Sequence, residues 1–218
     1  MVIFDCNGVL VDSEAIAATV AAQELGRAGL TVSPEVVARF FAGRRPADMI
    51  ADIEAATKRK LPPDFGATLA AATLQRLRAE VRPTAHMAYA LTWLRGPKCV
   101  ASSSSLDRVR VSLETTGLLR FFEPYLYSAH DVPRGKPAPD LFLRVAQKMG
   151  VRPAECIVVE DSPNGVAAAH AAGMVPIGFI GGSHSGPNLG ALLTGAGART
   201  VIADMRALKS TVVALRGW

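Results

Sequence analysis

Four places in this 218-residue chain hold side chains that could do chemistry, three of them directly after short apolar runs. The first is Asp5-Cys6-Asn7-Gly8, which follows Val2-Ile3-Phe4. Alternation along a strand sends Asp5 and Asn7 to one face and Cys6 to the other. A carboxylate at a strand's C-terminal end lies where open α/β sheets hold ligands. Asp5 therefore reads either as a nucleophile or as a turn-forming Asp that caps the next helix. The second place is Ser102 to Ser105, after Cys99-Val100-Ala101. Ser102 and Ser103 can offer hydroxyl and backbone N–H groups to an anionic oxygen. Ser104 or Ser105 fits better as the N-cap of a helix that begins at Leu106.

Lys136 is the third, within Gly135-Lys136-Pro137-Ala138-Pro139-Asp140. Its flanking prolines restrict the backbone and pre-place the ammonium. The fourth is Glu160-Asp161, after Ile157-Val158-Val159. Adjacent carboxylates repel unless a cation relieves them, and hard oxygen donors with open positions suit Mg²⁺. A nucleophilic carboxylate, a divalent cation and fixed partners for phosphate oxygens are what phosphoryl transfer to an aspartate demands.

The elements that must position these groups alternate. Strands are expected at 2–4, 99–101, 125–127, 157–159, 175–180 and 200–202. Helical patterns lie between them at 106–116, 140–149, 163–172 and 205–215, with Gly150, Gly173 and Gly217 at helix C-termini. This order predicts a parallel, doubly wound α/β sheet. Residues 14–82 break the alternation. They read as four helices, 15–28, 34–41, 47–57 and 65–80, with turns at Gly43 and Pro62-Pro63. The expected organisation is an α/β core from 1–13 and 83–218 with an α-helical insert, 14–82, over the strand ends.

Composition narrows the function classes. Half the residues are hydrophobic and a fifth charged, a globular balance. No apolar stretch approaches the roughly 18 residues that span a bilayer. Asp5 interrupts the first apolar run, which argues against a signal peptide, so the expected setting is cytoplasmic. Three widely spaced cysteines, Cys6, Cys99 and Cys156, suit buried reduced thiols. The four scattered histidines include no His-x-x-x-His pair, so a histidine metal site is not expected. A formal charge of +5 without a basic cluster points away from nucleic acid and towards a small anionic substrate.

The four motifs, in this order, resemble those of the haloacid dehalogenase (HAD) superfamily. Asp5 to Ser13 is similar to its first motif, Asp-x-Asp-Gly-x-x-x-Asp-Ser/Thr, and Ser102 to its second. Lys136-Pro137-Ala138-Pro139-Asp140 is similar to the third, and Glu160-Asp161-Ser162 through Gly173 to the fourth. The helical insert resembles the subgroup of β-phosphoglucomutase and phosphoglycolate phosphatase. The resemblance implies a Rossmann-like core with an α-helical cap domain and Mg²⁺-dependent hydrolysis of a small phosphate monoester. It implies Asp5 as nucleophile, with an aspartyl-phosphate intermediate, and Lys136 and Ser102 as catalytic partners. Metal ligands would be Asp5, Asp161 with Glu160 beside it, and the Asn7 backbone carbonyl. Cap residues Gly43, Arg44 and Arg45, with Ser103, would meet the substrate, a small phosphorylated metabolite, in a monomeric enzyme with no nucleic-acid or membrane partner.

Position 7 departs from the motif. The family's second Asp, its general acid/base, is Asn7 here. An amide cannot exchange a proton at neutral pH, and losing a general acid/base costs about 10²–10⁴ in rate. The expectation is a phosphatase with weak turnover, or alternatively a silent binder of phosphometabolites. A phosphoglucomutase-type transferase is disfavoured because Pro46 aligns where the mutase has arginine. A 2-haloacid dehalogenase is disfavoured by Glu160-Asp161.

Overall fold

Short runs of small and β-branched apolar residues, bounded by turns, are what a sheet buried on both faces selects, and this chain builds one from six of them. The computed structural model describes residues 1–41 and 44–216. The chain opens with β1 (Val2–Phe4) and a two-residue strand β2 (Val11–Asp12). Four helices follow: α1 (Glu14–Arg27), α2 (Pro34–Phe41), α3 (Pro46–Thr57) and α4 (Phe65–Glu80). Strand β3 (Arg82–Pro83) returns antiparallel to β2, so this small ribbon brackets the helical segment.

The remainder alternates: α5 (Met87–Trp93), β4 (Lys98–Ser102), α6 (Leu106–Thr115), β5 (Leu126–Ser128), α7 (Asp140–Met149), β6 (Ile157–Glu160) and α8 (Pro163–Ala171). It ends with β7 (Val175–Phe179), α9 (Leu189–Gly195), β8 (Thr200–Ile202) and α10 (Leu208–Arg216). The large sheet has the order β5-β4-β1-β6-β7-β8, and every pairing is parallel. Parallel strands need crossovers, which the helices supply. The fold is thus the expected Rossmann-like α/β core with helices on both faces.

Strand alternation divides the core. Val2, Phe4, Val100, Val159 and Phe179 pack on one face of the sheet, where Phe4 meets Phe122 edge-on at 5.6 Å. Ile3, Cys99, Ala101 and Val158 face the other side, against Leu141, Phe142 and Val145 of α7. The helical segment carries its own apolar cluster, with Leu25, Val37, Ile53 and Phe65 among its members. All three cysteines are buried free thiols. No helix among the described residues is long and apolar enough to cross a membrane.

Several boundaries differ from expectation. The strand expected at 125–127 is 126–128, because Tyr125 closes a turn to Phe122 instead. The last helical stretch splits into a 3₁₀ turn, Met205–Ala207, and α10. Helices α5 and α9 were not read from the sequence. Both are seven residues long, too short to display a helical period. Gly150 and Gly173 take the left-handed conformation expected of helix-ending glycines. Gly43 and Gly217 lie outside the described residues.

Candidate active site

Parallel pairing brings the ends of β1, β4 and β6 side by side, and with them Asp5, the serine run and Glu160-Asp161. The Asp5 amide donates to the Val159 carbonyl, which fixes its backbone to the neighbouring strand's end. Beyond it the chain turns tightly, with the amides of Leu10 and Val11 both donating to the Cys6 carbonyl. Gly8 makes that turn at φ +74°, and a Cβ there would lie 1.9 Å from Asp161 Oδ2. Glycine is what lets the first loop close over the fourth motif.

Lys136 ties three segments together. Its ammonium donates to Asp5 Oδ1 at 2.6 Å, to Glu160 Oε1 at 2.5 Å and to the Ala101 carbonyl at 3.2 Å. All three of its N–H donors are thereby used, and the Phe142 ring lies 5.2 Å beneath. Burial by itself would lower the Lys136 pKa, but Asp5 and Glu160 outweigh it and hold it above the ordinary lysine value. Glu160 is fully buried. Its second oxygen accepts from the Ser162 amide at 3.2 Å and hydroxyl at 3.0 Å. Both Glu160 oxygens are thus committed to Lys136 and Ser162, while its neighbour Asp161 faces a cavity with Asp5 and Asn7.

The serine run is divided differently from expectation. The Ser102 hydroxyl is fully buried and accepts from the Ser104 amide at 3.2 Å, so it braces the loop from beneath. Ser103, Ser104 and Ser105 line the cavity instead. Ser105 is the N-cap of α6, accepting from the Arg108 amide. Ser104 is not a cap: its hydroxyl accepts from Asn7 Nδ2 at 2.8 Å. Ser13 donates to Asn7 Oδ1 at 3.1 Å, so the Asn7 amide is held at both ends.

His184 was not found from the sequence. It follows Gly181-Gly182 beyond β7, and its Nε2 lies 2.8 Å from Asp161 Oδ2. Ser183 beside it donates to Asp12 at 2.7 Å, tying this loop to β2. Burial opposes the imidazolium, but Asp161 outweighs it and raises the His184 pKa. A glycine-rich turn at the same sheet edge as Asp5 was the available signal; a search for paired histidines passes over it.

Two carboxylates share this floor at an energetic cost. Burial pushes the Asp5 carboxyl well above its ordinary value, with Glu160 and Asp161 adding to the rise and Lys136 opposing it. Burial also raises Asp161 to about 6, against the His184 contact. A cation between them relieves that penalty. No group of three or more acidic, histidine or cysteine side chains among the described residues is arranged for a metal. Asp5 and Asp161, hard oxygen donors at one cavity, suit a hard ion that keeps part of its water shell, as Mg²⁺ does.

The cavity, about 230 Å³, is roofed by the helical segment. Arg44 lines it and pairs with Asp52. Arg45 does not line it; it pairs with Asp48 at 2.8 Å and packs on Gly135 beside Lys136. Gly43 lies outside the described residues. Arg108, on the first turn of α6, also lines the cavity, and its Nε is buried with no hydrogen-bond partner among the described residues. The sequence offered no sign of it beyond a helical position.

A family profile described as haloacid dehalogenase-like hydrolase matches residues 1–173. The chain is similar to the 6-phosphogluconate phosphatase of Escherichia coli (strain K12), 31% identical over 195 residues and covering 85% of each chain. It is 32% identical over 175 residues to the fructose-1-phosphate phosphatase of the same organism, covering 79% of this chain and 92% of that one. Among solved structures, the conserved haloacid dehalogenase-like protein ATU0790 from Agrobacterium tumefaciens str. C58 superposes with a TM-score of 0.84. It is 40% identical and covers 99% of this chain and 98% of its own.

Proposed function

The chain belongs to the haloacid dehalogenase-like hydrolases, and we propose that it is a Mg²⁺-dependent phosphatase of small phosphate monoesters working through an aspartyl-phosphate on Asp5. One observation carries the reading. Lys136 bridges Asp5 and Glu160 at 2.6 and 2.5 Å, buried beside a cavity lined by Asp5 and Asp161. Full burial of a lysine between two acids is costly unless the charges have a task. Phosphatase relatives of similar length support the choice of ester.

Lys136 holds Asp5 Oδ1 and steers the other oxygen towards the cavity. That oxygen attacks phosphorus; an O–P bond forms to Asp5 as the ester P–O bond breaks. The Ser104 hydroxyl, with Ser103 beside it on the cavity wall, would meet the phosphoryl oxygens. Water then attacks the aspartyl-phosphate, releasing inorganic phosphate and restoring Asp5. Asp5, Asp161 and the Asn7 main-chain carbonyl would hold Mg²⁺, whose positive charge would offset the carboxylates and the phosphate. Glu160 acts here as the anchor of Lys136 rather than as a ligand. The helical segment 14–82 serves as a cap over the core, 1–13 and 83–218.

Asn7 sets the rate. Pinned by Ser104 and Ser13, its amide neither gives a proton to the departing alkoxide nor takes one from water. Water must serve instead, so turnover is slow. The same residue favours a second reading, a protein that binds phosphometabolites without turnover. Assay of the native chain and Asn7→Asp with Mg²⁺ on a phosphate monoester panel separates the two. Gains of orders of magnitude that vanish with Asp5→Asn support the phosphatase. Binding without any gain supports the binder.

A further inference from the structure

The cavity has two unlike halves. Its floor is polar: Asp5, Asn7, Asp161 and the serine loop. Its roof is built from Ala17 and Ala21 of α1, Met49 of α3, and Leu69, Ala70 and Leu74 of α4. Helix backbone groups there are bonded within their own helices, and the one hydroxyl on this wall, Thr73, already donates to the Leu69 carbonyl at 2.7 Å. A sugar hydroxyl pressed against such a wall loses its water and gains no partner. Apolar surface placed there gains by leaving water. Glu14 and His130 also line the cavity, but neither is buried; the buried polar atom there without a partner among the described residues is a donor, Arg108 Nε. Arg44, by contrast, is already engaged by Asp52.

We propose that the substrate is a phosphate monoester of an alcohol with a compact apolar body, bearing one hydrogen-bond acceptor for Arg108. The inference rests on the phosphatase reading of the same site. It sets this chain apart from relatives named for 6-phosphogluconate and fructose 1-phosphate. Arg108 is a specificity residue in this account, since it meets the leaving group and not the reacting phosphorus.

The test uses the full chain with Mg²⁺. Initial rates are measured for benzyl phosphate, its para-carboxylate derivative, cyclohexylmethyl phosphate, 6-phosphogluconate and fructose 1-phosphate. In parallel, calorimetry compares butylphosphonate with 3,4-dihydroxybutylphosphonate, a pair that differs only in two hydroxyls and cannot be hydrolysed. We expect the apolar esters to lead in kcat/KM by tenfold or more, the range a pocket gains from a few matched methylenes. We expect Leu74→Gln to narrow that lead, and Arg108→Ala to erode the para-carboxylate ester more than its neutral parent, mainly through KM. Sugar phosphates equal to or better than the apolar esters overturn this inference and leave the phosphatase reading standing. No turnover of any ester removes the phosphatase reading and, with it, the substrate named here; butylphosphonate still bound tenfold tighter than its diol would then support only the cavity's preference for an apolar body, in a bound ligand. Equal affinity for the two phosphonates overturns the inference whether or not Leu74→Gln folds.

Discussion

Asn7 Nδ2 donates to Ser104 Oγ at 2.8 Å, and Ser13 Oγ donates to Asn7 Oδ1 at 3.1 Å. Both partners are hydroxyls, which rotate to donate or accept as needed. A carboxylate at position 7 is therefore accommodated with the same heavy-atom positions, Ser104 turning from acceptor to donor. Asn7→Asp should raise kcat on alkyl phosphate esters by about 10²–10⁴, the usual worth of a general acid/base. Its thermal midpoint should stay close to that of the native chain. Activated aryl phosphates, whose leaving groups need little protonation, should gain less. Steady-state kinetics on the two ester classes, with a thermal melt of each protein, checks this; equal gains on both would argue against a role in leaving-group protonation.

Lys136 pairs with both Asp5 and Glu160, and no other ion pair to either acid is formed among the described residues, so its removal strands both. Lys136→Met should lower folding stability by about 3–5 kcal/mol, as breaking a buried pair from one side does. Glu160→Gln should cost less, because an amide oxygen still accepts from Lys136. Denaturant unfolding in the absence of metal measures the difference. If Lys136→Met were as stable as the native chain, the triad would contribute nothing to the fold.

The sheet and its reactive ends were legible because each strand is a dense apolar run that stops at a polar turn, as at Val2-Ile3-Phe4 before Asp5. Helices of nine residues or more were legible from their period; α2, with only eight, was marked by Pro34 at its start. Two-residue strands β2 and β3 have no period, and seven-residue helices barely complete two turns, so these escaped. Within the site, position along a strand told which carboxylates come together but not where each side chain turns. Glu160 and Asp161 are adjacent, yet one faces Lys136 and the other the cavity. Ser102 ends its strand as expected, but Ser103 and Ser104 form the wall. His184 and Arg108 arrive from a loop and a helix face whose contacts only the tertiary fold sets.

Asp161 is steadied by His184 Nε2 at 2.8 Å. Partners that orient a ligating carboxylate typically affect metal affinity 10–100-fold. His184→Ala should therefore weaken Mg²⁺ binding by about that factor, measured by calorimetry with the metal alone. His184→Gln, which keeps a donor on a similar side chain, should recover part of the loss. Unchanged affinity in the alanine variant would make the histidine a packing residue of its loop. EDTA should abolish turnover of the native chain, with added Mg²⁺ restoring it.

Gly165, in the first turn of α8, is pressed against the acid that anchors Lys136. A Cβ at this position would sit 2.0 Å from the Glu160 carboxyl carbon and 2.0 Å from Oε1. Its backbone is ordinary helix, so the constraint is space and not conformation. The carboxylate cannot withdraw without breaking its bonds to Lys136 and Ser162. Gly165→Ala should thus destabilise the protein by about 1–3 kcal/mol, as overpacking does, despite alanine's better helix propensity. Because Lys136 would lose its anchor while keeping Asp5, kcat should fall as well. Gly165→Ala combined with Glu160→Ala, which opens the space, should relieve the steric part: the double variant should be more stable than the sum of the two single losses. Strict additivity in denaturant unfolding would show that the two residues are not in steric conflict.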